Sequence, residues 1–230
     1  MVTIENNQKY DFQPDATRSY NIGWKVMGTY FVELLVIGII YAILSGPTGA
    51  FQWKVHEFAW YMAPLVIFGM AYGIFVAGPI GYGASWAFLK AVRGERVEIK
   101  DVFAVFQRNY WNAVIANIVV AIIVGLGMVM LIVPGIIFAC RLAFVPYLVV
   151  DRKMDVMEAL RVSWDMTRGH GWQIFFMGFL AIWIAIAGLV MFFVGIFISI
   201  MWISAAFAAM YHSVELKSGV PEITYTGEQG

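Results

Sequence analysis

The sequence predicts an all-α membrane protein, a polytopic bundle of six transmembrane helices with short interfacial amphipathic helices. Hydrophobic residues make up 61% of the chain and charged residues only 13%, about half the charged share of a soluble domain. Apolar runs near the ~20 residues that cross a bilayer recur along the whole length. Lysine and arginine gather in the connections on one side of these runs, as in membrane proteins.

The apolar runs define the predicted spans: residues 26–44, 58–89, 111–133, 136–150 and 172–210. The last run is long enough for two spans joined by a turn near residues 188–195. The second run is too long for one straight span at ~1.5 Å per residue, so a kinked helix is expected. Three prolines lie where a helix should kink or end: Pro79, Pro134 and Pro146.

The positive charges predict the orientation of the chain. Of the 15 lysines and arginines, 13 lie on one side of the predicted spans, whereas Lys54 lies on the other side and Arg141 within a span. Both termini should therefore be cytoplasmic, in the inner membrane of a bacterium. The predicted organisation is a polar N-terminal segment over residues 1–20, the six-helix domain over 21–213 and a flexible cytoplasmic tail over 214–230.

A tryptophan marks the start of three of the spans: Trp24, Trp111 and Trp172. Each follows a polar stretch in which an aspartate precedes a small apolar residue, at Asp15, Asp101 or Asp155, and each precedes two apolar spans. This order fits three tandem hairpins, each introduced by an amphipathic cytoplasmic element. Interfacial tryptophans are common without any repeat, so simple membrane anchoring explains the three positions equally well.

Small residues recur at every fourth position of the second span: Gly69, Gly73, Ala77, Gly81 and Ser85. Such a stripe lets another helix approach closely. Packing within one chain is favoured over a seam between two copies.

Two charged residues lie well inside predicted spans, Glu33 and Arg141. Their depths, counted from the cytoplasmic flanks, agree within one helical turn, and a lone charge at membrane depth costs at least ~2.5 kcal/mol. An ion pair between them is therefore predicted. It would either bind an anionic substrate or lipid head group or fix the helix register; alternatively, Arg141 reaches a head-group phosphate alone. Asn112 and Asn117 are expected to extend the site or to bond between helices.

Motifs for catalysis are missing: the sequence has no HExxH, no GxSxG and no P-loop. The three histidines are dispersed and Cys140 is the only cysteine, so no metal site and no cofactor are predicted. Acidic residues among the basic ones argue against nucleic-acid binding. The predicted partners are membrane lipids, with a membrane protein or a second copy of the chain as alternatives.

The stretches VPGIIFACRLAFVPYLVVDRKMDVMEALRVSWDMTRGHGWQIF and GPIGYGASWAFLKAVRGERVEIKDVF resemble a widespread family of uncharacterised bacterial integral membrane proteins. That family is related to the membrane domain attached to some glycerophosphoryl diester phosphodiesterases. The resemblance covers roughly residues 14–216 and implies a six-helix membrane domain without an assigned activity. The catalytic domain of the fused relatives has no counterpart here, so hydrolysis is not implied.

These observations favour a non-enzymatic membrane protein that binds or handles lipid or a small amphiphile in envelope homeostasis. One alternative is a transporter or channel for a small solute, with an intramembrane Glu/Arg site. Another is a membrane scaffold for a partner protein.

Overall fold

A computed structural model describes residues 12–52, 63–190 and 192–218. Within these ranges the protein is all-helical and has no β-strand. Five helical segments are long and apolar enough to cross a membrane, or up to six if the bent pair α1–α2 counts as one span. The predicted fold, an all-α polytopic membrane bundle, is confirmed.

The helices, in chain order, are α1 (Ala16–Thr29), α2 (Phe31–Gln52), α3 (Ala63–Tyr72), α4 (Gly78–Val92), α5 (Ala104–Arg108), α6 (Tyr110–Met130), α7 (Ile132–Arg141), α8 (Val145–Asp151), α9 (Val156–Met166), α10 (Gly171–Val190) and α11 (Phe192–Ser218). A π-helical turn (Gly73–Ala77) joins α3 to α4, and a 3-10 helix (Ile99–Phe103) precedes α5. The long α3–α4 and α7–α8 pairs each form one candidate span, Val66–Val92 and Ile132–Asp151.

The first predicted span is wrong at its start, because the chain bends by 99° between α1 and α2. Residues 26–29 belong to α1, which begins at Ala16 with Asp15 as its N-cap. The amphipathic α1 packs along α11, where Gly23 lies so close to the backbone of Ala206 that a Cβ would be 2.8 Å from its nitrogen. The predicted boundary at residue 20 therefore falls inside a packed helix.

The second span is irregular around Pro79, as predicted, and the irregularity is a π-turn. Pro79 has no N–H to donate to the carbonyl of Phe75, four residues earlier, so a helical hydrogen bond is lost. The hydroxyl of Tyr110 donates to that carbonyl at 2.9 Å instead. The N–H of Gly78 donates to Gly73, five residues back, which widens the turn. Residues 58–62 of the predicted span, together with Lys54, lie outside the described residues.

The third and fourth spans form a tight hairpin. α6 ends at Leu131, whose backbone is extended, three residues before Pro134; Pro134 itself lies in the first turn of α7. Gly127 and Gly135 face each other there, and a Cβ on Gly127 would be 3.0 Å from the Cα of Gly135. Pro146 lies in the first turn of α8, directly after a break at residues 142–144.

The last apolar run is divided into α10 and α11 within the predicted turn region. The predicted start of a flexible tail at residue 214 is wrong, because α11 continues to Ser218. Val214 is fully packed and Glu215 is only 8% exposed. Residues 219–230 of the predicted tail lie outside the described residues, as do residues 1–11 of the predicted N-terminal segment.

The order of elements agrees with three hairpins, each introduced by an amphipathic element. Those elements are α1, the 3-10 helix with α5, and α9. The tryptophan predicted as an anchor in each hairpin is largely exposed: Trp24, Trp111 and Trp172. Exposed aromatic side chains at these positions suit contact with the lipid interface.

The best-packed part of the bundle is the end where α4, α8 and α11 terminate, which we call the basic end. Every residue of α8 except Pro146 is buried, and so is most of α4. By contrast α6, α7 and α10 expose many large apolar side chains, as expected of helices that face lipid. The polar groups of the basic end are therefore held on a rigid base.

Candidate functional site

Five charged or titratable side chains form a buried group at the basic end, which we call the charge cluster: Arg93, Asp151, Arg152, His212 and Glu215. Arg93 follows the last residue of α4, Asp151 and Arg152 lie at the end of α8, and the other two lie on α11. The sequence patterns do not predict this cluster. One member, Asp151, directly follows an apolar run, and that position is the one signal the sequence offers.

Arg93 connects all three helices of the charge cluster. Its guanidinium donates two parallel hydrogen bonds to the carboxylate of Asp151, both at 2.7 Å, and two more to Glu215 at 2.9 and 3.1 Å. Arg152 donates to the same Glu215 from Nε at 3.2 Å. Such bidentate, charge-assisted hydrogen bonds are among the strongest in proteins.

Local structure places each member of the charge cluster. α4 ends in a Schellman motif: Glu95 N–H donates to the Lys90 carbonyl, and Gly94 has φ of 72°, which glycine adopts without strain. The chain therefore turns sharply after Arg93 and points it at α8. On α11, Tyr211 stacks on Tyr147 with ring centroids 4.9 Å apart and donates to Asp151 at 3.3 Å.

The two arginines of the charge cluster stay charged. Burial by itself lowers the pKa of Arg93, but hydrogen bonds and charge from Asp151 and Glu215 outweigh it and raise that pKa above its usual range. The pKa of Arg152 is raised in the same way, mainly through Glu215. Two guanidiniums face two carboxylates, so the charges balance. The charge cluster thus ties helices together, and it leaves no surplus charge for a ligand.

The predicted ion pair between Glu33 and Arg141 is not formed. No salt bridge joins them within the described residues, and their surroundings differ: Glu33 is exposed beside residues 96–100, whereas Arg141 contacts α9. The prediction failed because it compared depth along each helix and could not compare position around the bundle.

Arg141 is the last residue of α7, at the break before α8. Because the helix stops there, its carbonyl has no helical partner, and the hydroxyl of Ser163 donates to it at 2.8 Å. The guanidinium carbon lies 5.5 Å from the centre of the Trp164 ring, within reach of a cation–π contact. The nitrogen Nη1 is shielded from solvent and has no hydrogen-bond partner among the described residues.

His170 carries the second shielded nitrogen without a partner in the described part of the chain, its Nδ1. Both residues contact Thr167: its hydroxyl oxygen lies 3.4 Å from the Arg141 carbonyl, and its own carbonyl accepts the N–H of His170 at 3.1 Å. Buried nitrogens without partners are rare in folded proteins and call for an explanation.

Glu33 lines an open cavity of about 610 Å³, together with Tyr30 and residues 96–100. Glu98 and Lys100 form an ion pair at 2.7 Å across its rim. The hydrogen bond between the two side chains and the charge of each partner lower the pKa of Glu98 and raise the pKa of Lys100. Within the described structure neither Glu33 nor Arg96 has an ion-pair partner.

The two predicted asparagines lie in separate places. The amide of Asn112 donates to Asn109 and to Asp155, both at 2.9 Å, and so ties α6 to the start of α9. Asp155 is the N-cap residue of α9, but its carboxylate accepts this bond and makes no cap bond. Asn117 lies against Gly78 on α4. The four predicted polar residues therefore do not form one site.

The small-residue stripe serves packing within the chain where its contacts are described. A Cβ on Gly81 would lie 3.5 Å from the ring of Tyr41. Gly81 and Ser85 line a cavity of about 130 Å³ between α2, α4 and α11. Gly69 is buried, whereas Gly73 and Ala77 belong to the half-buried π-turn. The closest approach in this region is made by Gly83, outside the stripe, against the carbonyl of Val102.

No group of three or more potential metal ligands occurs in the described parts of the chain. A comparison with protein-family models, with curated proteins and with solved structures found no match. The resemblance drawn from the sequence stays a prediction.

Proposed function

We propose that this integral membrane protein is not an enzyme and that it binds the phosphate of an anionic membrane lipid at Arg141. The single observation behind the proposal is the shielded Nη1 of Arg141, which lacks an acceptor in the described structure. A guanidinium is always charged, and leaving it unpaired at membrane depth is costly. A lipid phosphate supplies both the missing charge and the acceptor.

The surroundings of Arg141 support this proposal. The ring of Trp164 lies beside the guanidinium, and the neighbouring α7 residues Val133 and Ile137 are largely exposed, as lipid-facing side chains are. Nδ1 of His170, on the far side of Thr167, is a further nitrogen able to bond an anion. We place the basic end on the cytoplasmic side of a bacterial inner membrane, in line with the positive-inside rule.

Native mass spectrometry of the protein in mild detergent tests the proposal. We expect phosphatidylglycerol to stay bound to the wild type after equilibration in a mixture of phosphatidylglycerol and phosphatidylcholine. Arg141→Leu should lose most of it, a drop of about tenfold, because a hydrogen-bonded charge is worth roughly 1.5–3 kcal/mol. Arg141→Lys, which keeps the charge, should lose less.

Arg161→Leu is the matched control, because it removes the same charge from an exposed position on the adjacent α9. It should retain phosphatidylglycerol like the wild type. Equal retention by Arg141→Leu and the wild type would refute the proposal.

A further inference from the structure

We infer that the cavity at Glu33 is a second lipid site, which binds a zwitterionic head group with a primary ammonium and a phosphate, as in phosphatidylethanolamine. The inference does not depend on the site at Arg141. It rests on a juxtaposition: the same cavity is lined by a carboxylate, Glu33, and a guanidinium, Arg96, that have no ion-pair partner among the described residues, while Glu98 and Lys100 already neutralise each other.

The cavity has a fixed wall. Asp101 accepts hydrogen bonds from the Glu98 N–H and from Lys90 Nζ, both at 2.8 Å, and thereby ties residues 98–101 to the end of α4. Val97 is buried, and the carbonyl of Val102 packs directly against Gly83. The opposite wall is the first turn of α2. A preorganised cavity loses little entropy when a ligand binds.

The charges of the cavity select the ligand class. A guanidinium binds a phosphate, and a carboxylate accepts hydrogen bonds from an ammonium group. The volume of about 610 Å³ falls in the range of small-molecule sites, ~300–1,000 Å³. Positive-inside bias accounts for Arg96 and Lys100, but it does not account for a carboxylate that faces the same cavity.

The ammonium is inferred to be primary. Quaternary ammonium groups are recognised by aromatic cages, and among the described residues Tyr30 is the one aromatic side chain that lines this cavity. A quaternary group also has no N–H to donate to Glu33. Phosphatidylethanolamine should therefore be preferred over phosphatidylcholine.

The neighbours of the cavity indicate that the ligand is a lipid and not a soluble amine phosphate. Phe31 and Val32, next to Glu33, are exposed, and so is Ile99 on the opposite wall. Apolar side chains beside a charged pocket suit a molecule with a charged head and acyl chains.

The test is the ratio of the two lipids that remain bound to the full chain after reconstitution in equal amounts of phosphatidylethanolamine and phosphatidylcholine. We expect the wild type to be enriched in phosphatidylethanolamine, and Glu33→Gln to reduce that enrichment roughly threefold, the effect of a solvent-accessible charge pair. Arg96→Gln should reduce retention of both lipids, because both carry the phosphate. Glu158→Gln, an exposed acid on α9, is the matched control.

A wild-type ratio equal to that of the mixture would overturn the inference, as would an unchanged ratio in Glu33→Gln. An acid in the first turn of α2 also stabilises the helix; that role alone predicts a change in melting temperature without a change in the lipid ratio. Displacement of the lipid by millimolar phosphoethanolamine would refute the inference that the ligand is a lipid, and would show that the cavity binds a soluble amine phosphate. Arg141→Leu should leave this ratio unchanged, so the two sites can fail separately.

Discussion

Asp151→Asn is expected to lower the free energy of unfolding by about 3 kcal/mol, the lower end of the range for removing one partner of a buried ion pair. Asp151 is 7% exposed and accepts both parallel hydrogen bonds of Arg93 at 2.7 Å. Without its charge, Glu215 alone must balance Arg93 and Arg152. The value lies at the lower end because Arg93 keeps its bonds to Glu215.

The assay is reversible unfolding in mixed micelles by titration with sodium dodecyl sulfate, followed by tryptophan fluorescence. Asp165→Asn is the matched control: Asp165 pairs with Arg168 at 3.4 Å, but both side chains are more than half exposed. That variant should change the free energy by less than about 0.5 kcal/mol, as surface pairs do.

A double-mutant cycle with Arg93→Gln and Asp151→Asn isolates the pair itself. The losses of unfolding free energy from the two substitutions should not add, because the second substitution removes a side chain whose partner the first has already removed. If Asp151→Asn costs no more than Asp165→Asn, or if the losses add, the reasoning about the charge cluster is wrong.

Three further predictions concern packing, pH and the helix break. Gly83→Ala should destabilise the protein by about 1–3 kcal/mol, because the new methyl group meets the carbonyl of Val102. Gly125→Ala is the control: its methyl group enters open space, so the substitution should be neutral or stabilising. Equal changes in the free energy of unfolding would contradict this. Burial raises the pKa of Glu95, so its charged form destabilises the fold and Glu95→Gln should have a higher melting temperature than the wild type at pH 8. This gain in melting temperature should vanish below about pH 4, where Glu95 is protonated in both the folded and the unfolded protein. No gain at pH 8 would contradict this. Ser163→Ala should cost about 1 kcal/mol in the same unfolding titration, since the Arg141 carbonyl loses its donor at 2.8 Å and keeps the Thr167 hydroxyl at 3.4 Å. An unchanged free energy of unfolding would contradict this.

The sequence predicts the helical elements of this protein well, because hydropathy is a local property. The division of the last apolar run into α10 and α11 and the irregular second span at Pro79 both follow from nearby residues. The bend after Thr29 was missed, since no proline marks it. It becomes intelligible only from the contacts of α1 with α11.

The charge cluster could not be predicted, because its members are brought together by packing between distant parts of the chain. Arg93 lies 58 residues from Asp151 and 122 from Glu215. Asp151 directly follows an apolar run, a position that usually indicates no more than a membrane boundary. Their pairing depends on the relative rotation of α4, α8 and α11, which single-sequence patterns do not contain.

The pairing of the other charges also explains why Arg141 has no counter-ion among the residues that the structure describes. The acids that the helices carry to the centre of the basic end, Asp151 and Glu215, are already bound to Arg93 and Arg152, and Glu33 faces another cavity. Arg141 lies at the break in the fourth span, where Ser163 donates to its carbonyl and its Nη1 has no hydrogen-bond partner in the described part of the chain. The proposed binding of a lipid phosphate at Arg141 rests on these two observations together.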